Sequence, residues 1–139
     1  MLMEVIWIMK ETEFYCSMSV RDHECDMQGV VNNAVYQNYL EHARHEFLRM
    51  RGLDFARLTQ QGIIVVVVRA EIDYVQSLRS GDHFQVTAQP VLESRIRLVF
   101  NQQIISPECG RLYTRARIVT TAVNERGRPW FPEVLRVLL

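Results

Sequence analysis

Apolar positions change their spacing along the chain and predict a strand followed by a long helix. In residues 11–21 apolar and polar side chains alternate, which is typical of a half-buried strand. A second pattern follows a polar loop, with apolar residues three and four positions apart, and it predicts a helix that Asn32 or Asn33 caps. This helix is expected to end near Arg51, with Gly52 as its stop, and residues 53–61 to add one short helical turn.

After Gly62 the pattern is that of β-structure. Residues 63–68 are a continuous run of isoleucine and valine, which predicts a central strand buried on both faces. Alternation resumes in residues 71–75, and three more strands are predicted over residues 83–92, 96–105 and 112–123, with polar turns between them. One long helix against so large a sheet predicts an α+β fold in which the antiparallel sheet wraps around the helix.

Length and composition favour a single domain without nucleic-acid or membrane chemistry. The 139 residues suit one domain, 1–139, and 16 basic residues balance 16 acidic ones. The chain therefore has no net charge that would attract nucleic acid or anionic lipid. The apolar residues 5–9 are too few to span a membrane and lack a cleavage site, so a cytoplasmic location is expected. Cys16, Cys25 and Cys109 lack zinc-site spacing and are interpreted as free thiols.

The side chains best suited to catalysis lie in the loop before the helix. It holds three carboxylates, Asp22, Glu24 and Asp26, followed by Gly29. A helix N-terminus offers unpaired N–H groups and the positive end of a dipole, and a carboxylate beside such an anion site suits acyl transfer. Residues two apart on an extended segment share a face, so the spacing leaves Asp22 and Glu24 as rivals of Asp26. An aspartate that merely caps backbone amides is the alternative.

Two other clusters suggest different chemistry. Cys25 and His23 could pair as a thiol nucleophile and its base, although no downstream residue is an obvious orienting group. His42, His45 and Glu46 lie at helical spacing that could hold a metal, but the flanking arginines favour a solvated or interface-facing polar surface. The sequence therefore predicts no metal site.

Five arginines lie at two-residue steps on the predicted hairpin arms: Arg95, Arg97, Arg111, Arg115 and Arg117. A solvated sheet face is the simplest interpretation for most of them. One or two could instead meet the phosphates of a coenzyme or carrier arm.

The loop and the helix together carry a family signature. The run Asp26-x-x-Gly29-Val30-Val31-Asn32-Asn33-x-x-Tyr36, with Tyr39-Leu40-Glu41-x-Ala43-Arg44 after it, resembles the signature of hot-dog-fold thioesterases of the 4-hydroxybenzoyl-CoA type. The fuller string begins at Val20-Arg21-Asp22-x-Glu24 and continues through Arg44-His45-Glu46-Phe47-Leu48. Together with Arg79-Ser80-Gly81-Asp82, it is more similar still to the plant acyl-lipid and methylketone-synthase thioesterases.

The resemblance implies a hot-dog fold and a role for each residue of the motif. Asp26 would be the nucleophile or the base for a hydrolytic water, and the backbone N–H of Asn33 would polarise the thioester carbonyl. The substrate-binding candidates are the other motif residues: Gly29, Val30, Val31, Asn32 and Tyr36. Neither a metal nor a cofactor is needed. Sites of this family lie between subunits, which implies a homodimer or a homotetramer.

The function expected from the resemblance is hydrolysis of acyl thioesters to a free acid and a thiol. The expected substrates are fatty acyl or 3-oxoacyl groups on acyl carrier protein or coenzyme A, with the chain in an apolar tunnel walled by the helix and residues 63–68. Three alternatives remain open: an aryl- or short-chain acyl-CoA thioesterase, a hydratase or dehydratase that uses His23, and a non-catalytic acyl-binding module.

Overall fold

A long helix with an antiparallel sheet curled around it dominates the computed structural model, which describes residues 13–139. The elements follow one another as β1 (Tyr15–Ser19), a 3-10 turn (Asp22–Glu24), α1 (Asn33–Met50), α2 (Phe55–Gln60), β2 (Ile64–Tyr74), β3 (His83–Thr87), β4 (Gln89–Leu92), β5 (Leu98–Ile105), β6 (Leu112–Val123), β7 (Pro129–Trp130) and a second 3-10 turn (Glu133–Leu138). The predicted α+β class is confirmed.

Helix α1 begins and ends where the sequence predicts. Asn32 is its N-cap, because the side-chain Oδ1 accepts a 2.9 Å hydrogen bond from the N–H of Ala34. Beyond Met50 the chain reverses at Gly52, whose φ of +82° is a conformation that glycine adopts without strain. One face of the helix is buried against the sheet, and each large apolar side chain on it contributes roughly 1.5–3 kcal/mol by leaving water.

The sheet places β2 at one edge. The described strands run in the order β1-β3-β5-β6-β2, with β4 paired to β5 and β7 paired to β6. β2 is antiparallel to β6, from Ile64 opposite Val123 to Tyr74 opposite Thr114. A β-bulge interrupts this ladder between Val67 and Arg69.

The predicted burial of residues 63–68 is wrong for the single chain. Residues 64–68 do form a strand, but it lies at the edge of the sheet, and Val66, Val67 and Val68 are 37%, 49% and 46% exposed. Ile63, the residue before the strand, is buried as predicted. Branched side chains indicate β-structure, yet they do not say which element covers them. The strand also continues without a break through the separately predicted residues 71–75.

The predicted strand over residues 83–92 is divided into two. At the break the side-chain amide of Gln102 donates a 3.1 Å hydrogen bond to the carbonyl of Thr87, and the Thr87 hydroxyl accepts one from the N–H of Gln103. At this point these side-chain bonds replace the backbone pairing with β5, to which both β3 and β4 are hydrogen-bonded. Strand β5 likewise begins two residues later than predicted, because the Ser94 hydroxyl accepts the N–H groups of Ile96 and Arg97 within a turn.

Residues 1–12 lie outside the described part of the chain, and with them the apolar residues 5–9 and the first two positions of the predicted strand. Within residues 13–139, no helix combines the length and the apolar character that crossing a membrane demands.

The three cysteines are expected to differ in their reactivity with alkylating agents. The hydrogen bond between the exposed Cys109 thiol and the Ser106 hydroxyl lowers the pKa of Cys109, whereas burial, followed by the nearby Glu46, raises the pKa of Cys16. Limited iodoacetamide treatment of the folded protein should therefore label Cys109 first and Cys16 last, as peptide mass spectrometry would record. Equal labelling after denaturation is the control, and faster labelling of Cys16 in the folded protein would contradict this assignment.

Candidate active site

The loop before α1 doubles back on itself at Gly29. Cys25 and Val31 form an isolated antiparallel bridge, and between them the N–H of Asp26 donates to the carbonyl of Val30 at 2.9 Å. Gly29 closes the turn with a φ of +80° and donates its N–H to the carbonyl of Asp26 at 3.0 Å. The chain thus reverses within four residues, which brings it from Asp26 directly back to the start of α1.

The Asp26 carboxylate is exposed and bound only by its own turn. Its Oδ1 accepts hydrogen bonds from the backbone N–H groups of Gln28 at 2.8 Å and Val30 at 3.5 Å. Its Oδ2 has no hydrogen-bond partner among residues 13–139. The side chain is therefore oriented by the backbone while one oxygen stays available to react.

The three loop carboxylates do not share one face. Residues Asp22–Glu24 form a 3-10 turn, so the extended geometry that would align them with Asp26 is absent. Asp22 accepts a short hydrogen bond from the hydroxyl of Ser80, and Glu24 accepts one from the hydroxyl of Tyr39 at 2.8 Å. Both rivals of Asp26 are thus engaged by other side chains.

The first residue of α1 presents a free donor near this loop. The N–H of Ala34 is bound by the Asn32 side chain and that of Val35 by the Asn32 carbonyl, but the N–H of Asn33 has no acceptor in the described chain. The first N–H groups of a helix lack intrahelical acceptors and carry the positive end of its dipole. The carbonyl of Asn33 accepts a 3.2 Å hydrogen bond from the hydroxyl of Tyr74.

Tyr74 is a neighbour of the site that sequence reasoning missed. It is the last residue of β2, and its ring packs edge-on against Tyr36 with a centroid separation of 5.2 Å. In the sequence it is only one member of an alternating strand. The pairing of the β2 end with the helix start, which gives Tyr74 its role, becomes visible only in three dimensions.

The other motif residues divide into exposed and buried groups. Gly29 and Asn32 are exposed, Val30 is half-buried, and Val31 and Tyr36 are each 4% exposed. The two buried residues fasten the loop to the segment after β2: the N–H of Val31 donates to the carbonyl of Leu78, whose own N–H donates to the Tyr36 hydroxyl, both at 2.9 Å. Whether all five contact substrate stays a prediction.

The alternative clusters do not assemble in the structure. Among the described residues, His23 makes no hydrogen bond with Asp26 or Cys25, so neither a thiol–imidazole pair nor an aspartate–imidazole pair forms. His45 packs its ring on Phe55 at a centroid distance of 4.4 Å, and Glu46 pairs with Arg49. No group of three metal-ligating side chains is found within residues 13–139.

Two of the five arginines singled out in the sequence are engaged in ion pairs. Arg117 contacts Glu71 at 3.1 Å and also pairs with Glu93, while Arg115 lies 3.5 Å from Asp73. All these side chains are at least one-third exposed, which agrees with a solvated face of the sheet.

A mostly apolar cavity of about 240 Å³ lies between α1 and β2. Leu48, Phe55 and Val65 are among its lining residues, and Glu41 lies at its edge nearest the start of α1. Since a helix rises about 1.5 Å per residue, the cavity begins roughly 12 Å along the helix from Asn33. A larger concavity of about 750 Å³ has a mixed charged and apolar lining, which includes Met50 at the end of α1 and Asp73 near the end of β2.

Comparison with known proteins agrees with this architecture. The family profile described as Thioesterase-like superfamily matches residues 20–139. The acyl-acyl carrier protein thioesterase ATL3, chloroplastic, of Arabidopsis thaliana is 34% identical over 119 residues, which are 85% of this chain and 63% of ATL3. The chain therefore spans less than two thirds of that relative. The putative esterase sll0410 of Synechocystis is 32% identical over 82% of this chain and 69% of its own length.

Solved structures share the fold. A hypothetical protein, AQ1494, from Aquifex aeolicus superimposes with a TM-score of 0.84 at 30% identity, over 91% of this chain and 99% of that one. Slr0204, a 1,4-dihydroxy-2-naphthoyl-CoA thioesterase from Synechocystis, gives a TM-score of 0.83 at 21% identity, over 90% of this chain and 93% of its own, a likeness of fold alone. The predicted hot-dog fold is confirmed, and the chain belongs to the Thioesterase-like superfamily.

Proposed function

We propose that this protein hydrolyses fatty acyl thioesters, with Asp26 as the reacting carboxylate and the N–H of Asn33 as the donor to the carbonyl oxygen. The observation that carries the proposal is that two groups with unused hydrogen-bonding capacity flank one tight turn. Asp26 keeps an oxygen without a partner, and Asn33 keeps an N–H without an acceptor, among residues 13–139. Acyl transfer requires a nucleophile or base on one side of the carbonyl and an oxyanion donor on the other.

The chemistry follows from this arrangement by one of two balanced routes. In the first, Asp26 attacks the carbonyl carbon, the thiolate leaves, and water hydrolyses the resulting mixed anhydride. In the second, Asp26 takes a proton from a water molecule that attacks the same carbon, and the proton passes to the leaving thiolate. In both routes negative charge develops on the carbonyl oxygen, where loss of one donor typically costs ~10²–10³-fold in rate.

The cavity between α1 and β2 supports an acyl chain as the substrate's tail. A chain whose carbonyl lies at Asn33 would run along the helix for roughly 12 Å before reaching the cavity wall at Glu41. Acetyl groups are too short to reach it, so we favour medium- to long-chain substrates over short-chain ones. Aryl substrates would leave most of this apolar volume empty.

Either acyl carrier protein or coenzyme A would present the thioester. ATL3 is described as acting on acyl-acyl carrier protein, and a 27% identical relative from Escherichia coli, YbgC, as an acyl-CoA thioester hydrolase. The pantetheine arm is common to both carriers, and we propose that this chain accepts at least one of them.

We further propose that the active form is a homodimer or a homotetramer joined through the edge of β2. The run of exposed valines at that edge is unusual for a solvated strand, because edge strands generally carry charges that prevent pairing. A second copy of the protein would cover the valines and bring residues of the partner subunit close to the α1–β2 cavity.

The experiment that tests the function is a panel of initial hydrolysis rates. Acetyl, hexanoyl, decanoyl, palmitoyl and benzoyl thioesters would be offered on coenzyme A and on acyl carrier protein, with thiol release as the readout. A maximum at decanoyl or palmitoyl supports the proposal, and a maximum at acetyl or benzoyl supports the short-chain or aryl alternative. Tight binding without thiol release would favour a non-catalytic module, and hydration of enoyl-CoA without thiol release a hydratase.

Filling the cavity should shorten the preferred acyl chain. Val65→Phe adds a ring to the cavity wall, so we expect kcat/KM for the longest active substrate to fall by about tenfold or more while that for hexanoyl changes little. Val134→Phe, at a 40% exposed position outside the cavity lining, is the matched control. If the preference of Val65→Phe for acyl-chain length were unchanged, the acyl chain would have to bind in another part of the protein, which would contradict its placement in this cavity.

A further inference from the structure

Glu24 joins both ends of the loop that carries Asp26. Its N–H donates to the carbonyl of Arg21 at 3.0 Å, and its side-chain Oε1 accepts the N–H of Arg21 at 2.8 Å. Its carbonyl accepts the N–H of Asn32 at 3.0 Å. The residue before the loop and the N-cap after it are therefore both bound to this one glutamate.

Tyr39 connects the same glutamate to the body of the helix. Its hydroxyl donates to Oε1 of Glu24 at 2.8 Å, the only side-chain hydrogen bond in the described structure between residues 22–31 and α1. The tyrosine is 2% exposed, and its ring is packed against Phe84 at a centroid distance of 4.7 Å. Tyr39 lies two helical turns beyond Asn32, so it anchors the loop to a rigid part of the core.

The hydrogen bond has a fixed direction. Burial, and then the hydrogen bond to Glu24, raise the pKa of the Tyr39 hydroxyl above its usual range. The hydroxyl therefore stays protonated and is the donor in this hydrogen bond. A carboxylate acceptor makes such a bond stronger than one between neutral groups.

We propose that Glu24 and Tyr39 are a positioning pair that holds the Asp26 carboxylate at its working distance from the Asn33 N–H. This inference rests on the proposed function. Asp26 lies two residues after Glu24 and Asn33 directly follows Asn32, which is bound to Glu24, so a shift of the glutamate moves both reacting groups relative to each other. A displacement of about 1 Å at a reacting centre can cost ~10²-fold in rate.

Three variants and one control separate positioning from general stability. Tyr39→Phe removes the hydroxyl but retains the ring that packs on Phe84. Glu24→Ala removes the acceptor, whereas Glu24→Gln retains an oxygen that can accept both hydrogen bonds. Tyr113→Phe is the control, because Tyr113 is also buried at 8% exposure and its hydroxyl has no hydrogen bond among the described residues.

We expect Tyr39→Phe and Glu24→Ala to lower kcat by roughly 10- to 100-fold on the preferred acyl thioester, with KM within about threefold of wild type. Glu24→Gln should restore kcat to within about fivefold, and Tyr113→Phe should leave it unchanged. Wild-type kcat in Tyr39→Phe, or a Glu24→Gln variant as slow as Glu24→Ala, would overturn the inference. If Tyr39→Phe is unstable, the comparison of the two Glu24 variants alone decides.

A second measurement does not depend on turnover. Amide hydrogen exchange at Gln28 reports whether its 2.8 Å bond to Asp26 is maintained. Faster exchange at Gln28 in Tyr39→Phe, with unchanged exchange in the centre of β6, supports positioning. Unchanged exchange at Gln28 would refute it even if the protein proves to hydrolyse no thioester, so this inference and the proposed function can fail separately.

Discussion

Replacing Asp26 by asparagine is expected to lower kcat for acyl-thioester hydrolysis by about 10²–10⁴-fold. The asparagine side-chain oxygen can still accept the N–H groups of Gln28 and Val30, so the turn should keep its shape. What is lost is the ability to attack the carbonyl or to take a proton from water. Because the substrate's acyl and pantetheine contacts are untouched, KM should change far less than kcat.

Asp22→Asn is the matched control for this prediction. It makes the same change of charge four residues earlier, at an exposed aspartate that is hydrogen-bonded to Ser80. We expect its kcat to stay within a few-fold of wild type. If kcat fell steeply in Asp22→Asn while Asp26→Asn remained active, the catalytic role would belong to Asp22. If both variants kept the wild-type rate, the loop carboxylates would not be the catalytic groups.

The second large effect is expected at the β2 edge. Lysines introduced together as Ile64→Lys and Val68→Lys, both outside the cavity lining, would place two charges on a strand that we propose to be covered by a second copy. The protein should then change from a dimer or tetramer to a monomer in light scattering. Its hydrolysis rate should fall by about tenfold or more if the partner copy completes the substrate site.

Val137→Lys tests whether added charge alone has these effects. Val137 is 46% exposed, comparable to Val68, but it lies in the C-terminal 3-10 turn rather than on the sheet edge. This control should assemble and hydrolyse as wild type does. A wild-type protein that is monomeric at micromolar concentration, or a double lysine variant that still forms dimers, would contradict the proposed interface.

The helix was predictable because its limits depend on residues close together in the chain. The pairing of the strands was not predictable, because it joins residues far apart in the chain. The limits of α1 follow from Asn32 and Gly52, whose effects act within a few residues of chain. The run of valines in β2 was correctly predicted to be a strand and wrongly predicted to be buried. Which strands flank it depends on pairings with β6, about 50 residues away, and on any second copy, neither of which the local pattern encodes.

In the candidate site, too, local features were predictable and contacts between distant residues were not. The sequence indicates the Asp26–Gly29 turn and the helix start, because the motif residues are close together along the chain. It does not separate Asp22, Glu24 and Asp26, since their partners Ser80 and Tyr39 are 58 and 15 residues away. Alternation was a poor guide there because a 3-10 turn, and not an extended segment, carries Asp22 and Glu24.

The most direct test of the central claim is a crystal structure with a decyl ketone analogue of the thioester, in which a methylene group separates sulfur from the carbonyl and prevents hydrolysis. The account predicts the ketone oxygen at about 3 Å from the backbone nitrogen of Asn33, with an Asp26 oxygen facing the carbonyl carbon at about 3–3.5 Å. It also predicts the alkyl chain in the cavity between α1 and β2. A ketone oxygen directed away from Asn33, with Asp26 out of reach of the carbonyl carbon or of a water beside it, would contradict the proposed mechanism.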